Sequence, residues 1–203
     1  YDRAIALAPT AVEALANRGR ALRELKRYDE SLSSYDRALS IKPDDAALLA
    51  GRGTTHYAMK SFAAALADYD RALAIRPDLA EAHGNRSNAL REMGRQDEAL
   101  DACNRALALK PDYNEGYNNR GNALIELNRP ADALADYDRA LEAASDNVYA
   151  WVNRGNALRY LDRAEEAIES FDRAIALAPD LTEAHWNKGL LCLSVGDFAR
   201  GWA

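Results

Sequence analysis

Residues 151–179 read WVNRGNALRYLDRAEEAIESFDRAIALAP, and the pattern of this stretch recurs along the chain at intervals of 34 residues. The string Tyr-Asp-Arg-Ala, which appears here as Phe-Asp-Arg-Ala from Phe171, begins at that interval at Tyr1, Tyr35, Tyr69 and Tyr137. Five of the six prolines keep the same interval. A fixed period of this length is typical of a repeat architecture, in which each repeat packs against its neighbours.

Within each period the apolar residues have helical spacing, which predicts two helices per repeat. In the first full repeat we expect one helix from Val12 to Leu25 and a second from Tyr28 to Ile41. Glycine recurs inside the first helix, where it costs about 1 kcal/mol relative to alanine, so we expect it to let the two helix backbones approach closely. Aspartates after the proline position are predicted to cap the next first helix, at Asp44, Asp78, Asp112, Asp146 and Asp180.

A family resemblance rests on the spacing of Trp151, Gly155, Leu158, Ala167, Phe171, Ala174 and Pro179. This spacing resembles the tetratricopeptide repeat, and the other periods match it with substitutions. The resemblance implies an all-α, right-handed superhelical solenoid of antiparallel helix pairs whose first helices line a concave groove. It covers residues 1–203 as a single array, with full repeats at 12–45, 46–79, 80–113, 114–147 and 148–181 and partial repeats at 1–11 and 182–203.

Asparagine is concentrated on the side of the first helices that faces away from the glycine and leucine positions. The candidate peptide-binding groove consists of Asn17, Asn85, Asn88, Asn118, Asn119, Asn122, Asn153, Asn156 and Asn187, flanked by Tyr57, Tyr149, Tyr160 and Trp186. Asparagine is a mediocre helix former, so helix propensity does not explain this row. A side-chain amide both donates and accepts, so a row of amides suits the backbone of an extended peptide.

Two structural alternatives for the asparagines stay open. They could be ordinary polar surface residues that keep the protein soluble, or they could bond to the neighbouring helix and set the pitch of the superhelix. The family resemblance favours binding, because similar asparagine rows hold peptide backbone in tetratricopeptide proteins, notably in the array attached to O-linked N-acetylglucosamine transferase.

Basic residues recur beside the glycine position, at Arg18, Arg52, Arg86, Arg120, Arg154 and Lys188. A partly buried guanidinium needs a carboxylate partner, so we interpret this row as structural ion pairs rather than ligand contacts. The candidate partners are Asp36, Asp68, Asp70, Asp136, Asp138 and Asp172. A clamp for an acidic C-terminus, as in some tetratricopeptide cochaperones, is disfavoured because the groove positions also carry Glu81, Glu92, Glu115 and Glu126.

Composition limits the classes of protein that fit this chain. Over 203 residues it carries 26 Lys and Arg against 32 Asp and Glu, a net charge of −6, and 48% hydrophobic residues. These values predict a folded, soluble protein that does not bind nucleic acid. No apolar stretch approaches the roughly 20 residues that span a bilayer, so we expect no membrane insertion. Two distant cysteines, Cys103 and Cys192, fit a reducing cytoplasmic location, although the start at Tyr1 leaves a removed signal open.

No catalytic motif stands out, so we predict a protein that is not an enzyme and needs no metal or cofactor. His56, His83, His185 and Cys192 occupy positions where other repeats carry Leu, Tyr or Trp, and we assign them to core packing rather than to zinc. The expected function is a non-catalytic scaffold that binds a protein or an extended peptide segment.

The alternative function is the substrate-recruiting arm of a larger glycosyltransferase similar to O-linked N-acetylglucosamine transferase. It rests on residues Leu191 to Trp202, which resemble the last repeat of bacterial arrays that precede such a domain. The terminal helices would also leave apolar faces uncovered, so we expect that copies of the chain could pair end to end.

Overall fold

The computed structural model describes residues 11–201, and every regular element in that range is a helix. The helices are α1 (Val12–Glu24), α2 (Tyr28–Ile41), α3 (Ala46–Ala58), α4 (Phe62–Ile75), α5 (Ala80–Glu92), α6 (Gln96–Leu109), α7 (Asn114–Glu126), α8 (Pro130–Ala143), α9 (Val148–Tyr160), α10 (Ala164–Leu177), α11 (Thr182–Ser194) and α12 (Phe198–Gly201). The predicted pairs of helices are therefore confirmed. Except for Ala11, the predicted partial repeat at residues 1–11 lies outside the described residues, as does Trp202.

The chain forms two compact units that meet in sequence between Pro111 and Asp112. Within each unit, each odd-numbered helix packs against the even-numbered helix that follows it and forms a hairpin with it. The second, even-numbered helix of a hairpin also packs against the first helix of the next hairpin. Successive first helices contact each other too, α1 with α3 and α5 with α3 in the first unit, and α9 with α7 and α11 in the second. No helix in the described range is long and apolar enough to cross a membrane.

The glycine positions accommodate an aromatic ring from the second helix. A Cβ atom at Gly155 would lie 2.5 Å from the Phe171 ring, and one at Gly121 would lie 2.5 Å from the Tyr137 ring. At Gly53 the Ala65 carbonyl oxygen is also near, at 3.2 Å from the Cβ position. The expected close approach of two backbones is thus a minor part of the reason for glycine, and the space for a buried ring is the main one.

The turn between the two helices of each hairpin has a feature that we did not predict from the sequence. Its middle residue has a left-handed backbone, with φ between 57° and 82°, at Lys26, Lys60, Gly94, Asn128, Asp162 and Gly196. In the first turn, the N–H of Lys26 donates to the Arg23 carbonyl at 2.9 Å and that of Arg27 donates to the Leu22 carbonyl at 2.8 Å. This pair of hydrogen bonds is a Schellman motif, which satisfies the last carbonyls of the first helix and reverses the chain.

The prediction of the helix N-caps was wrong by one position. The capping side chains in the structure are Asp45, which accepts from the N–H groups of Ala47 and Leu48, and Asn147, which accepts from that of Ala150. The residues expected as caps, such as Asp44, lie in the preceding turn and are exposed. In the other repeats Ala11, Leu79, Tyr113 and Leu181 take the cap position without a side-chain bond.

Candidate functional site

Four residues form a stripe along α9 in the second unit. Tyr149, Asn153, Asn156 and Tyr160 are spaced four, three and four residues apart, which places them on one face of a helix. Both asparagines are half-buried and both tyrosines are exposed. The stripe therefore combines polar amides at its centre with aromatic rings at its ends.

Hydrogen bonds join this stripe to the first helices on either side. The Asn153 Nδ2 donates to Asn118 Oδ1 of α7 at 3.1 Å, and the Asn187 Nδ2 of α11 donates to Asn156 Oδ1 at 3.2 Å. The sequence alternative in which asparagines bond to the neighbouring helix is thus realised for these four residues. We call the half-buried amides of Asn118, Asn122, Asn153, Asn156 and Asn187 the asparagine face.

One amide of the asparagine face is held by the second helix of its own hairpin. The Tyr137 hydroxyl donates to Asn122 Oδ1 at 2.8 Å, and in the first unit the Tyr69 hydroxyl donates to Thr54 Oγ1 at 3.3 Å. Burial raises the pKa of Tyr69 to about 12, so this hydroxyl keeps its proton at neutral pH. Sequence reasoning missed these tyrosines as supports of the groove, although their 15-residue spacing from the groove position recurs in both units.

The predicted aromatic flanks divide into two groups. Tyr149, Tyr160 and Trp186 are 64%, 58% and 65% exposed, so these rings are accessible beside the asparagine face. The Arg159 guanidinium lies over the Tyr160 ring, 5.3 Å from its centroid. Tyr57 is different, because it is half-buried against Phe62, with ring centroids 5.4 Å apart, and packs on the core residues Ala65, Tyr69 and Ala89. Its place as an exposed flank is therefore not supported.

The remaining candidate asparagines are half-buried on their helices. Asn17 Oδ1 on α1 accepts from Arg20 at 2.9 Å, and Asn85 and Asn88 lie on α5. Between them α3 carries Gly51 and Thr54 at the corresponding positions, so the row of amides is interrupted in the first unit. Asn119 lies on α7 beside Asn118.

The ion pairs with aspartate predicted for the basic row are confirmed at Arg52, Arg86, Arg120, Arg154 and Lys188. Arg18 donates to the Ser34 hydroxyl at 2.7 Å and lies 3.6 Å from the Glu30 carboxylate. Arg52 donates to both oxygens of Asp68 at 2.6 and 2.8 Å and also to Asp36 at 2.7 Å. Arg120 likewise donates two hydrogen bonds to the two oxygens of Asp136. Arg86 pairs with Asp70, Arg154 with Asp138 and Lys188 with Asp172. Hydrogen bonds to Asp68 and Asp36 raise the pKa of Arg52. These cations hold helices together.

The histidines differ from one another. Burial lowers the pKa of His83, and its Nε2 donates to the Pro77 carbonyl at 3.0 Å. His185 makes the equivalent bond to Pro179 at 2.8 Å but is exposed, so the assignment of His185 to core packing was wrong. Among residues 11–201 there is no group of three His, Cys, Asp or Glu side chains that could hold a metal ion.

Comparison with family models gives matches along most of the chain. Models described as tetratricopeptide repeat match residues 12–45, 118–182 and 154–201, and a model described as TPR repeat matches residues 87–128. The comparison with curated protein sequences finds no match.

Solved structures of tetratricopeptide proteins share the fold. YrrB, described as a TPR protein with an unusual peptide-binding site, is 22% identical with a TM-score of 0.66, and the match covers 90% of this chain and 94% of YrrB. The thermophilic TPR protein TTC0263 of Thermus thermophilus is 22% identical with a TM-score of 0.76, covering 90% of this chain and 100% of TTC0263. PilW, a type IV pilus biogenesis factor, is 18% identical with a TM-score of 0.88, covering 94% of this chain and 89% of PilW.

The repeat period, the stacked hairpins and the family matches agree. They describe a repeat scaffold of the kind that mediates protein interactions. We conclude that this chain belongs to the tetratricopeptide repeat family.

Proposed function

We propose that the chain is a non-catalytic scaffold whose second unit binds an extended peptide segment of a partner protein across the asparagine face. The observation that carries this proposal is the pair of bonds that aligns Asn118 with Asn153 and Asn156 with Asn187 on three successive first helices. These bonds hold four half-buried amides in fixed orientations. Fixed polar groups bind with a smaller loss of conformational entropy than mobile ones.

The amides keep hydrogen-bonding capacity after these internal bonds. A side-chain amide has two N–H donors and an oxygen with two lone pairs, and each of the four uses one of these positions in the asparagine pairs. An extended peptide presents N–H and C=O groups in alternation. The remaining donors and acceptors of the face can therefore pair with peptide backbone whatever the peptide sequence is.

The flanks supply the contacts that would choose a sequence. Exposed Tyr149, Tyr160 and Trp186 offer large apolar surfaces with a polar edge, which are favoured at binding interfaces. Exposed Glu115 and Glu183 on the neighbouring first helices oppose a strongly acidic peptide. We therefore expect peptides with apolar or basic side chains, and no feature of the described residues favours the glycosyltransferase alternative.

The internal asparagine bonds also fit a purely structural role, so the experiment has to separate binding from stability. Peptides selected from a random display library by the unmodified chain are measured against a variant with Asn153→Ala and Asn156→Ala. We expect binding to weaken by about tenfold or more, with a loss of unfolding free energy of about 1 kcal/mol per removed bond. The matched control carries Asn85→Ala and Asn88→Ala, the same helix positions in the first unit, and should bind the peptides as the unmodified chain does.

Peptide chemistry provides the second arm of this test. N-methylation of alternate peptide nitrogens should abolish binding, whereas alanine replacement of most peptide side chains should not, if the amides grip the backbone. Equal binding by the Asn153 and Asn156 variant, or a variant that unfolds, would refute the proposed site and leave the asparagines as structural residues.

A further inference from the structure

The basic row on the first helices follows a spacing rule. Arg52 and Arg154 each bond to a residue 16 positions earlier, on the preceding second helix, and to a residue 16 positions later, on the second helix of the same hairpin. Arg52 bonds to Asp36 and Asp68, and Arg154 bonds to Asp138 and Ser170. The later position is an acceptor at Ser34, Asp68, Asp136 and Ser170.

Arg86 breaks this rule on one side only. Its Nε donates to Asp70, the earlier partner, at 2.7 Å. The later position is Ala102, whose methyl group cannot accept a hydrogen bond. Among the described residues no side chain accepts a hydrogen bond from the two terminal nitrogens of the Arg86 guanidinium. In other repeats one terminal nitrogen bonds to the later residue, from Arg52 to Asp68 and from Arg154 to Ser170.

A cavity of about 410 Å³ lies at this position in the first unit. Its lining includes Arg86, Ala102, His83 and Arg105, and on the apolar side Leu73 and Ala74. Arg86 and Arg105 both lie close enough to His83 to help lower its pKa, after burial as the main cause. Two guanidinium groups thus line one cavity, beside a histidine whose neutral form is favoured.

Three acidic residues also line the cavity, and two of them are already engaged by arginines. Asp70 is paired with Arg86, and Glu98 accepts two hydrogen bonds from Arg95, each 2.7 Å long. Asp101 also lines the cavity and is exposed. It opposes large or multiply charged anions more than a single negative group.

We propose that this cavity binds one carboxylate group, which takes the place that Asp68 and Asp136 fill in the neighbouring repeats and pairs with Arg86 and Arg105. The planar guanidinium matches a carboxylate in a two-pronged geometry, which Arg52 and Arg120 form through Nε and one terminal nitrogen. Because the Nε of Arg86 donates to Asp70, Arg86 would use its two terminal nitrogens for the bound carboxylate. The carboxylate can come from an acidic side chain of a partner protein or from a small free acid. This site is in the first unit and is independent of the asparagine face.

The test uses the full chain labelled with ¹⁵N, in which the arginine Nε–H signals are followed by NMR. The probes are N-acetylglutamate N-methylamide, which mimics an acidic side chain of a peptide, the free diacid glutarate, and inorganic phosphate, each compared with sodium chloride at equal ionic strength. We expect saturable shifts of the Arg86 and Arg105 signals with at least one carboxylate probe and unchanged Arg154 signals. The tighter of the two carboxylate probes identifies the source.

Two variants make the test specific. Ala102→Asp supplies an internal carboxylate, so it should raise the thermal midpoint and weaken binding of the carboxylate probe by about tenfold or more. Arg105→Ala removes an exposed cation and should weaken binding without changing the midpoint. Shifts that do not saturate, shifts that persist in Ala102→Asp, or a preference for phosphate over both carboxylates would overturn the proposal.

Discussion

At the scale of single residues, the basic row shows why arginine recurs beside the glycine position. Asp136 is only 5% exposed and receives two hydrogen bonds from Arg120, so its buried charge is compensated by a planar partner. Lysine offers a single ammonium group and cannot form this fork. The pair therefore stabilises the packing of α7 on α8 through its geometry as well as its charge.

Replacement of Arg120 by alanine should lower the free energy of unfolding by about 2 to 3 kcal/mol, because it leaves the Asp136 carboxylate buried without its main partner. Chemical denaturation of both proteins measures this change. Arg129→Ala is the control, since Arg129 and Asp132 are both more than half exposed, and it should cost less than about 0.5 kcal/mol. Similar losses in the two variants would contradict the structural role of the Arg120 pair.

Replacement of glycine by alanine is expected to destabilise the protein at one glycine position and to stabilise it at another. Alanine at Gly155 would place Cβ 2.5 Å from the Phe171 ring, so we expect a cost of about 1 to 3 kcal/mol from overpacking. Among the described residues, alanine at Gly189 meets only the Gly201 carbonyl oxygen at 3.4 Å, so the gain in helix propensity of up to about 1 kcal/mol should prevail. Thermal unfolding of the two variants should move in opposite directions, and a shared direction would refute this explanation of the glycine row.

At the scale of elements, the hairpin turns depend on one left-handed residue. Lysine at positions 26 and 60 adopts φ of 58° and 59°, where an L-residue with a Cβ atom is disfavoured by roughly 1 to 2 kcal/mol. Two other turns carry glycine, at Gly94 and Gly196, which adopts this conformation without that penalty. The chain thus tolerates a local cost in some turns because the packed helices on both sides determine the turn.

Lys60→Gly should therefore raise the free energy of unfolding by about 0.5 to 1 kcal/mol, which is the relief of strain less the greater entropy of glycine in the unfolded chain. Denaturant melts report this change. Gly94→Ala is the reverse kind of substitution in the equivalent turn and should destabilise by a similar amount, since no atom of residues 11–201 lies within 4 Å of its Cβ position to add a clash. A stabilising Gly94→Ala would show that backbone conformation is not the controlling factor.

At the scale of the whole molecule, the helix contacts of the described residues join elements one or two places apart in the chain. In such repeat proteins, stability is close to a sum of repeat and nearest-neighbour terms. A local defect should therefore loosen its own hairpin and the adjoining ones much more than distant hairpins. The asparagine face on α7, α9 and α11 would respond to changes in the second unit.

Hydrogen exchange read by mass spectrometry tests this locality with the Gly155→Ala variant. We expect faster exchange in α9, α10 and α11, because these helices share contacts with the altered hairpin, and unchanged exchange in α1 to α4. The Gly189→Ala variant is the control and should not accelerate exchange in α9. An equal increase along the entire chain would mean that the protein opens as one cooperative body.

The helices, their pairing and the ion pairs of the basic row could all be predicted from the amino-acid sequence. Each of these depends on a short, repeated spacing: apolar residues on one helix face, a 34-residue period, and arginines 16 residues from their aspartates. Because the repeats share this spacing, the same local packing recurs along the chain. The aspartate partners of Arg120 and Arg154 can therefore be predicted without coordinates.

Packing in three dimensions was needed to establish which amides meet, where Tyr57 packs and that Ala102 leaves a cavity beside Arg86. A hydrogen bond such as Asn153 to Asn118 at 3.1 Å requires two side chains on separate helices to lie within a few tenths of an ångström of a particular geometry. That distance depends on how the helices are offset and on the size of every side chain between them. Spacing in the sequence places a residue on a face, whereas the packed structure determines what that residue contacts.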